Sequence, residues 1–317
     1  MNSNQRPITV LVPVYNAESS IPVGMKSILA MARAEDEILV IDDGSSDKSL
    51  MELQKFSKVD NRINLISRGH QGLVDVLNFG LTESANELIA RADIDDSYHP
   101  DRLNRQVGTI SESPHISAVF SDYEITNVGG NYLGVIPSAV TENLTKLSLI
   151  NHQRTAHPSV LFRKEAVISA GGYIRSDFPA EDYALWIRLS RISKLRTVPQ
   201  VLLCYTLSPT GISLTRAEEM KKRTSFLQTE VARSLDVDKY RVSLLQDLSE
   251  LNTTALSAER KLLTIRDFIS LLKLKGHSLR DITRDVSKFR TELELMASLR
   301  SVIKLESDRR KRVQVRD

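Results

Sequence analysis

Apolar and β-branched residues in this chain come in short solid runs that stop abruptly at polar residues. Ile8 to Val14 is one such run, Glu37-Ile38-Leu39-Val40-Ile41 a second, Ile63 to Ser67 a third and Glu87-Leu88-Ile89-Ala90 a fourth. A run without polar alternation is the pattern of a strand covered on both faces. Between the runs the apolar positions take helical spacing: Ile21, Met25, Ile28 and Leu29, then Leu50, Leu53 and Phe56, then Val74, Leu77 and Leu81. Strand and helix alternate four times, which predicts a parallel sheet with helices on both faces. Right-handed crossovers then bring the strand ends to one edge, where open α/β sheets bind ligands.

Further along, Ile116 to Phe120 reads as a strand with Asp122 beyond it. Val128-Gly129-Gly130-Asn131 reads as a hairpin turn between Tyr123-Glu124-Ile125-Thr126 and Tyr132-Leu133-Gly134-Val135. Residues 114–163 are expected to close over a bound ligand. After Phe178-Pro179-Ala180 a helix is expected to about Ile192, with Asp182, Leu185, Trp186 and Leu189 on one stripe. From Arg216 onward only helical spacing remains. Tyr240, Leu244, Leu245, Leu248 and Leu251 follow a cap at Asp236 or Asp238. Leu262, Ile265, Ile269 and Leu272 make the next stripe. A break at Gly276-His277-Ser278 precedes Ile282, Val286, Phe289, Leu293 and Met296, and Arg309-Arg310-Lys311-Arg312 lies near the end.

Composition sharpens that division. All ten prolines and twelve of the thirteen glycines fall at or before Gly211. Residues 1–214 carry 20 Lys and Arg against 24 Asp and Glu, whereas 215–317 carry 23 against 16. The expected organisation is one domain over 1–214 and a basic, all-helical region over 215–317.

The candidate chemistry sits where the strands end. The fourth run leads into Arg91-Ala92-Asp93-Ile94-Asp95-Asp96. If Asp93 to Asp95 is extended, both carboxylates leave one face and repel each other unless a cation lies between them. With no His or Cys nearby, the fitting ion is Mg²⁺ or Mn²⁺, its shell completed by phosphate oxygens. The same residues also suit a polar turn before a helix opening at Pro100, with Asp96 or Ser97 as its cap. Tyr15, Asp43 and Gly72 reach the same edge from the other strand ends. An aromatic ring to stack on a base, a carboxylate to accept from a base N–H and a glycine that admits backbone suit a nucleoside diphosphate. Asp42-Asp43-Gly44-Ser45 serves equally as a turn and helix cap, and Tyr15 as a core residue. Asp182, in the first turn of its helix, fits either a cap or a working base.

Val12-Pro13-Val14-Tyr15-Asn16, Val40-Ile41-Asp42-Asp43-Gly44-Ser45-Ser46-Asp47 and Asp93-Ile94-Asp95-Asp96, in this order, resemble the family 2 glycosyltransferases of GT-A fold. The likeness continues through His157-Pro158-Ser159-Val160-Leu161-Phe162-Arg163, Gly171-Gly172-Tyr173 and Ala180-Glu181-Asp182-Tyr183-Ala184-Leu185-Trp186, and spans roughly residues 7 to 213. It implies a Rossmann-like, mostly parallel sheet flanked by helices. It places Pro13, Tyr15 and Asp43 at a uracil-type base, Asp93 at the ribose or donor sugar, Asp95 as principal metal ligand and Asp182 as catalytic base. Glu181, His157 and Asp96 become acceptor or supporting contacts. Relatives commonly carry His where this chain has Ser208 and Arg where it has Thr206, which weakens the expected hold on metal and diphosphate.

The implied activity is inverting, metal-dependent transfer of a sugar from a nucleotide donor, expected to be a uridine diphosphate sugar. The acceptor would be a saccharide or a lipid-linked saccharide, as in surface polysaccharide synthesis. The residues also admit two other readings, a non-catalytic nucleotide-sugar-binding relative and a phosphoacceptor signalling domain. The single Cys204 allows no intrachain disulfide, and no segment approaches the roughly 18 apolar residues of a spanning helix. The expectation is therefore a cytoplasmic protein, or one resting on the inner face of a membrane. The basic C-terminal helices suit packing on the catalytic domain, docking on an anionic membrane, or oligomerisation. Nucleic acid is not an expected partner, because the basic residues are interleaved with acidic ones and few aromatics accompany them.

Overall fold

The computed structural model describes residues 6–138, 146–147, 149, 155–236 and 255–278. The first four strands fall where the apolar runs predict: β1 (Ile8–Val14), β2 (Glu37–Asp42), β3 (Ile63–Ser67) and β4 (Leu88–Arg91). They pair in parallel in the order β3-β2-β1-β4. Between them run α1 (Ile21–Met31), α2 (Ser49–Ser57) and α3 (Leu73–Glu83). Ile21, Met25 and Ile28 of α1 and Val74, Leu77 and Leu81 of α3 are buried, so the periodicity does mark the inward faces.

Beyond β4 the sheet changes character. β5 (Ser97–Tyr98) is a two-residue strand, α4 (Arg102–Ser111) follows, and β6 (Ile116–Asn127) forms a hairpin with β7 (Tyr132–Ile136). After the short 3₁₀ turn His157–Ser159 come β8 (Leu161–Arg163), α5 (Lys164–Ser169), α6 (Glu181–Ile192) and β9 (Lys194–Leu207). β8 runs antiparallel between β4 and β6, β6 and β9 are parallel, and β5 is antiparallel to β9. The full order is β3-β2-β1-β4-β8-β6-β9-β5, with β7 beside β6. This is a mixed α/β fold of GT-A type, its curled central sheet flanked by helices.

Three local expectations are corrected. The strand from Ile116 does not stop at Phe120 but continues to Asn127, so Asp122 lies within it, buried. The helix expected at Pro100 starts at Arg102, with neither Asp96 nor Ser97 as its cap. Asp93 to Asp95 is not extended. The backbone turns at Ile94 and Asp95, so alternation is not what brings the two carboxylates together.

The turn is fixed by packing. Gly24 of α1 lies so close beneath it that a Cβ there would stand 1.8 Å from the Ile94 carbonyl oxygen. The buried Tyr98 hydroxyl accepts the Asp93 N–H at 2.6 Å and donates to the Asp93 carbonyl at 3.0 Å. Under the point where parallel pairing gives way to antiparallel, the fully buried Arg102 donates to the carbonyls of Arg91 and Val160 and, through Nε, to Gln106. Gln106 in turn donates to the carbonyls of Val119 and Ser159. Two polar side chains of α4 thus donate to carbonyls around β4, β6 and β8, and the Val160 carbonyl also accepts the Arg91 N–H at 3.0 Å.

After β9 the chain continues through α7 (Ile212–Thr215) and α8 (Ala217–Ser234), and a further helix, α9, spans Ala255–Leu274. The chain divides into two compact units, residues 1–231 and 232–317. In the second, Leu272 of the expected stripe is buried, Ile265 and Ile269 are half-buried, and α9 stops just before Gly276-His277-Ser278. The stripes expected from Tyr240 and from Ile282, and the basic run Arg309-Arg310-Lys311-Arg312, lie outside the described residues. Among the described residues no helix is long and apolar enough to cross a membrane.

Replacing Gly24 with Ala should cost about 1–3 kcal/mol, because a backbone carbonyl must move to admit the methyl group. Gly108→Ala, at an exposed α4 position with open space around it, should instead gain about 0.5–1 kcal/mol. Chemical denaturation of the two variants checks the pair; equal stabilities would show that the turn is not gripped by α1.

Candidate active site

The acidic turn is the centre of the site. Arg91, the last residue of β4, is buried and donates to the Asp93 carboxylate and to the Ala92 carbonyl. Asp95 reaches the open cleft, yet burial by surrounding protein and then the charge on Asp93 raise its pKa to about 6. Asp96 points the other way. It is buried, one oxygen accepts the Thr206 N–H of β9 at 2.8 Å and the other has no protein partner. Burial and its acidic neighbours push its pKa well above the usual carboxylate range. Asp96 is thus a tie between the turn and β9, and Asp93 and Asp95 are the pair that faces the cleft.

The strand ends of β1, β2 and β3 build the next part. Asp42 takes the turn role, accepting from the Ser67 hydroxyl at 3.0 Å. Asp43 is buried, and its carboxylate accepts the backbone N–H groups of Gln71 and Gly72, both at 2.9 Å. Gly72 has φ +91°, a conformation a side chain would strain, and it lets that loop turn toward Asp43. His70 from the same loop stacks on Tyr15 with ring centroids 4.2 Å apart, its Nδ1 2.8 Å from the Asp43 carboxylate. Tyr15 is half exposed and Pro13 lines the cleft beside it. Tyr15 is therefore not a core residue. His70 is a member of the site that pattern reading missed; a ring donor between glycines at a strand end was the available signal.

The third part is the start of α6. Asp182 accepts the N–H of Tyr183 at 2.6 Å, so it satisfies a first-turn amide while its carboxylate also lines the cleft. Glu181 is buried, its Oε2 has no protein partner, and burial followed by the charge of Asp182 raises its pKa to about 8. Of the two adjacent carboxyl groups, Glu181 is the neutral one at pH 7. His157 stands not at a strand start but in the 3₁₀ turn, with Nε2 2.9 Å from the Tyr173 hydroxyl and its ring edge-on to Trp186. Burial and then the charge of Arg91 lower its pKa well below the ordinary value, so it is uncharged.

The three parts meet at one cleft of about 2150 Å³. Pro13, Tyr15, Asp43, Gly72, Asp93, Asp95, His157, Glu181 and Asp182 line it together. The hairpin at Val128 and Gly130 and the residues Thr155 to Pro158 line it as well, whereas 139–145, 148 and 150–154 lie outside the described residues. Among the described residues no cluster of three His, Cys, Asp or Glu side chains could hold a metal by itself. Asp93 and Asp95 offer two hard oxygen donors, and the upward shift of Asp95 marks a place where added positive charge is favoured.

Fold and cleft together define an α/β scaffold of GT-A type with its cleft at the strand ends, and comparison with known proteins gives the family. A model described as Glycosyl transferase family 2 matches residues 9–170, just over half of the chain. The chain belongs to that family. An uncharacterized glycosyltransferase of Haemophilus influenzae is 32% identical over 212 residues, 63% of this chain and 65% of that protein. The present chain thus spans just under two thirds of that relative's length. The UDP-Glc:alpha-D-GlcNAc-diphosphoundecaprenol beta-1,3-glucosyltransferase WfgD of Escherichia coli is 27% identical over 229 residues, 69% of this chain and 85% of that one. Among solved structures, S. aureus TarS 1-349 matches with a TM-score of 0.59 at 16% identity, covering 93% of this chain and 91% of its own. That likeness carries the fold. Family membership also removes the phosphoacceptor signalling reading.

Glu181→Gln should stabilise the protein in a pH-dependent way. The folded state holds the Glu181 proton up to about pH 8, whereas the unfolded chain releases it near pH 4.5, so wild-type stability falls as pH rises between those values. Gln carries no such penalty. Thermal melts should show the variant more stable by about 1–3 kcal/mol at pH 8 and equal to wild type near pH 4. A gain independent of pH would refute the neutral carboxyl.

Proposed function

We propose that this protein transfers a sugar from a nucleoside diphosphate sugar to an acceptor hydroxyl, with inversion at the anomeric carbon. The observation that carries the reading is that the carboxylates of Asp95 and Asp182, distant in sequence, line one cleft with Tyr15 and Asp43. Tyr15 and Pro13 receive the base, Asp43 and the Gly72 backbone fix its polar edge, and Asp93 lies at the ribose or donor sugar. Asp95, with Asp93, would hold Mn²⁺ or Mg²⁺, which when bound supplies positive charge to the diphosphate as it departs. Asp182 accepts the proton of the acceptor hydroxyl as that oxygen bonds to the anomeric carbon. The bond from that carbon to the phosphate oxygen breaks, and the diphosphate leaves with the electron pair. Glu181, uncharged at neutral pH, leaves Asp182 as the ionised member of the pair and can donate to an acceptor oxygen; His157 holds the Tyr173 hydroxyl and Asp96 the Thr206 backbone.

Two relatives support a uridine donor and a lipid-linked acceptor. WfgD is named for UDP-Glc and GlcNAc-diphosphoundecaprenol, and a second Escherichia coli relative is a UDP-Gal:alpha-D-GlcNAc-diphosphoundecaprenol beta-1,3-galactosyltransferase. A TarS structure is a complex with UDP-GlcNAc, and a Pyrobaculum calidifontis mannosyltransferase is a complex with GDP-Man and Mn²⁺. We place the protein in surface polysaccharide synthesis at the cytoplasmic face of a membrane. Its catalytic domain is 1–214, and 215–317 is an appended helical region whose first helix still walls the cleft. A donor-binding relative without turnover is the second reading, favoured by the uncharged Thr206 and Ser208 at the end of β9.

With a uridine diphosphate sugar and its acceptor in hand, Asp182→Asn should lower kcat by about 10²–10⁴-fold with little change in donor KM. Excess chelator should abolish turnover, and added Mn²⁺ should restore it in wild type but not in Asp95→Asn. Substantial activity in Asp182→Asn would remove the base, and activity in chelator would remove the metal.

A further inference from the structure

The cleft is short of mobile positive charge on the side where a diphosphate must lie. Asp93, Asp95, Glu181 and Asp182 face it, and the cation among them, Arg91, is committed to Asp93 and to the Ala92 carbonyl. Thr206 and Ser208 are neutral, and the Ser208 hydroxyl is 3.0 Å from that of Thr210. Two further cations line the cleft, Arg216 and Lys221.

Their placement follows from a strap of chain between two parts of the site. At one end the Thr206 N–H is held by Asp96 of the acidic turn. In the middle, Ser213 is bonded to the Tyr205 hydroxyl at 2.8 Å. At the other end the Arg216 guanidinium lies over the Phe178 ring, 5.7 Å from its centroid, three residues before Glu181. The strap therefore runs from the carboxylates that would hold a metal to the helix that carries the base. α8 then continues along the cleft, lining it with Ala217, Met220, Lys221, Thr224, Ser225 and Gln228, spaced as a single helical face. The helix is pinned from another face, where Arg223 and Arg188 both donate to the buried Asp177 carboxylate. Arg216 is paired with Glu219 at 2.9 Å, but both side chains are half exposed. Such a pair is weak enough to exchange for a phosphate. Lys221 has no ion-pair partner among the described residues and is exposed at the cleft.

We propose that Arg216 and Lys221 form the diphosphate-binding pair of this protein, supplying from the strap and α8 the charge that Thr206 and Ser208 do not. This rests on the nucleotide-sugar reading and names the residues that would hold the donor's diphosphate. A diphosphate can also belong to a lipid-linked acceptor, and the test separates the two sources.

The test is calorimetric titration of the full-length protein, in Mn²⁺, with UDP, with uridine and, on UDP-saturated protein, with pyrophosphate. In Arg216→Ala/Lys221→Ala the UDP dissociation constant should rise by roughly tenfold or more while that of uridine holds. Arg216→Lys should recover part of the loss, and Lys222→Ala, on the same helix but outside the cleft lining, should leave UDP binding unchanged. Unchanged UDP affinity in the double variant overturns the proposal, as does an equal loss for uridine. A loss confined to pyrophosphate on the UDP-saturated protein overturns the donor assignment and gives the pair to the acceptor's phosphate. Wild type that binds neither UDP nor GDP overturns the nucleotide-sugar reading itself.

Discussion

Three carboxylates in four positions repel, and the fold depends on a turn that holds them regardless. The turn is fixed through its backbone, not through its charges. α1 meets the Ile94 carbonyl where Gly24 has no side chain, the Tyr98 hydroxyl brackets both polar atoms of the Asp93 peptide, and Asp96 reaches away to β9. Because the peptide groups are held, Asp93 and Asp95 stay directed at the cleft even while burial and then their mutual repulsion raise the Asp95 pKa. The strain is electrostatic and local, and a bound cation would relieve it without moving the chain. A site made this way is preorganised: its cost is met during folding and not at each binding event.

The same region is where the sheet changes from parallel to mixed pairing. Buried carbonyls crowd the change of pairing around β4 and β8 and call for donors, since one left unpaired costs about 1–3 kcal/mol. Arg102 and Gln106 supply those donors from α4. Burial lowers the Arg102 pKa to about 10, which leaves it charged at neutral pH and able to donate to two carbonyls at once. The cation also lies over the Tyr98 ring, 4.9 Å from its centroid. The residue that braces the acidic turn is therefore itself stacked on the residue that joins the strands, so sheet topology and site geometry are coupled through two side chains.

This explains which parts could be read from the chain alone. The four parallel strands and their helices were legible because each buries a continuous apolar face, and burial leaves a periodic trace in Ile8–Val14 or in Val74, Leu77 and Leu81. The convergence of Tyr15, Asp43, Gly72 and Asp95 followed from topology once the strand ends were placed, whereas the role of Asp182 came only from the family resemblance. The conformation of 93–96 was not legible, since a turn set by Gly24, seventy residues earlier, leaves no local signal. Arg102 and Gln106 carry the polar signature of an exposed helix face and are buried only because distant carbonyls need them. His70 and Arg216 lie in loops, where pattern is silent and position depends on tertiary contacts with Tyr15 and Phe178.

Glu181 and Asp182 show how the environment divides labour between adjacent groups of nearly equal intrinsic acidity. Neighbouring carboxyl groups with little solvent cannot both ionise cheaply, so one keeps its proton, and burial decides which. Glu181 lies deeper and lacks a partner at Oε2, and its backbone hydrogen bond offsets burial and the charge of Asp182 only in part. Asp182 accepts the Tyr183 N–H and sits in the first turn of α6, where the helix dipole favours negative charge. The proton therefore rests on Glu181. That asymmetry does not depend on any ligand: it follows from one residue facing the core and the next facing a helix amide. It is also what a base in the proposed reaction requires, since a carboxylate that shared its neighbour's proton would be a poorer acceptor for the hydroxyl it must activate.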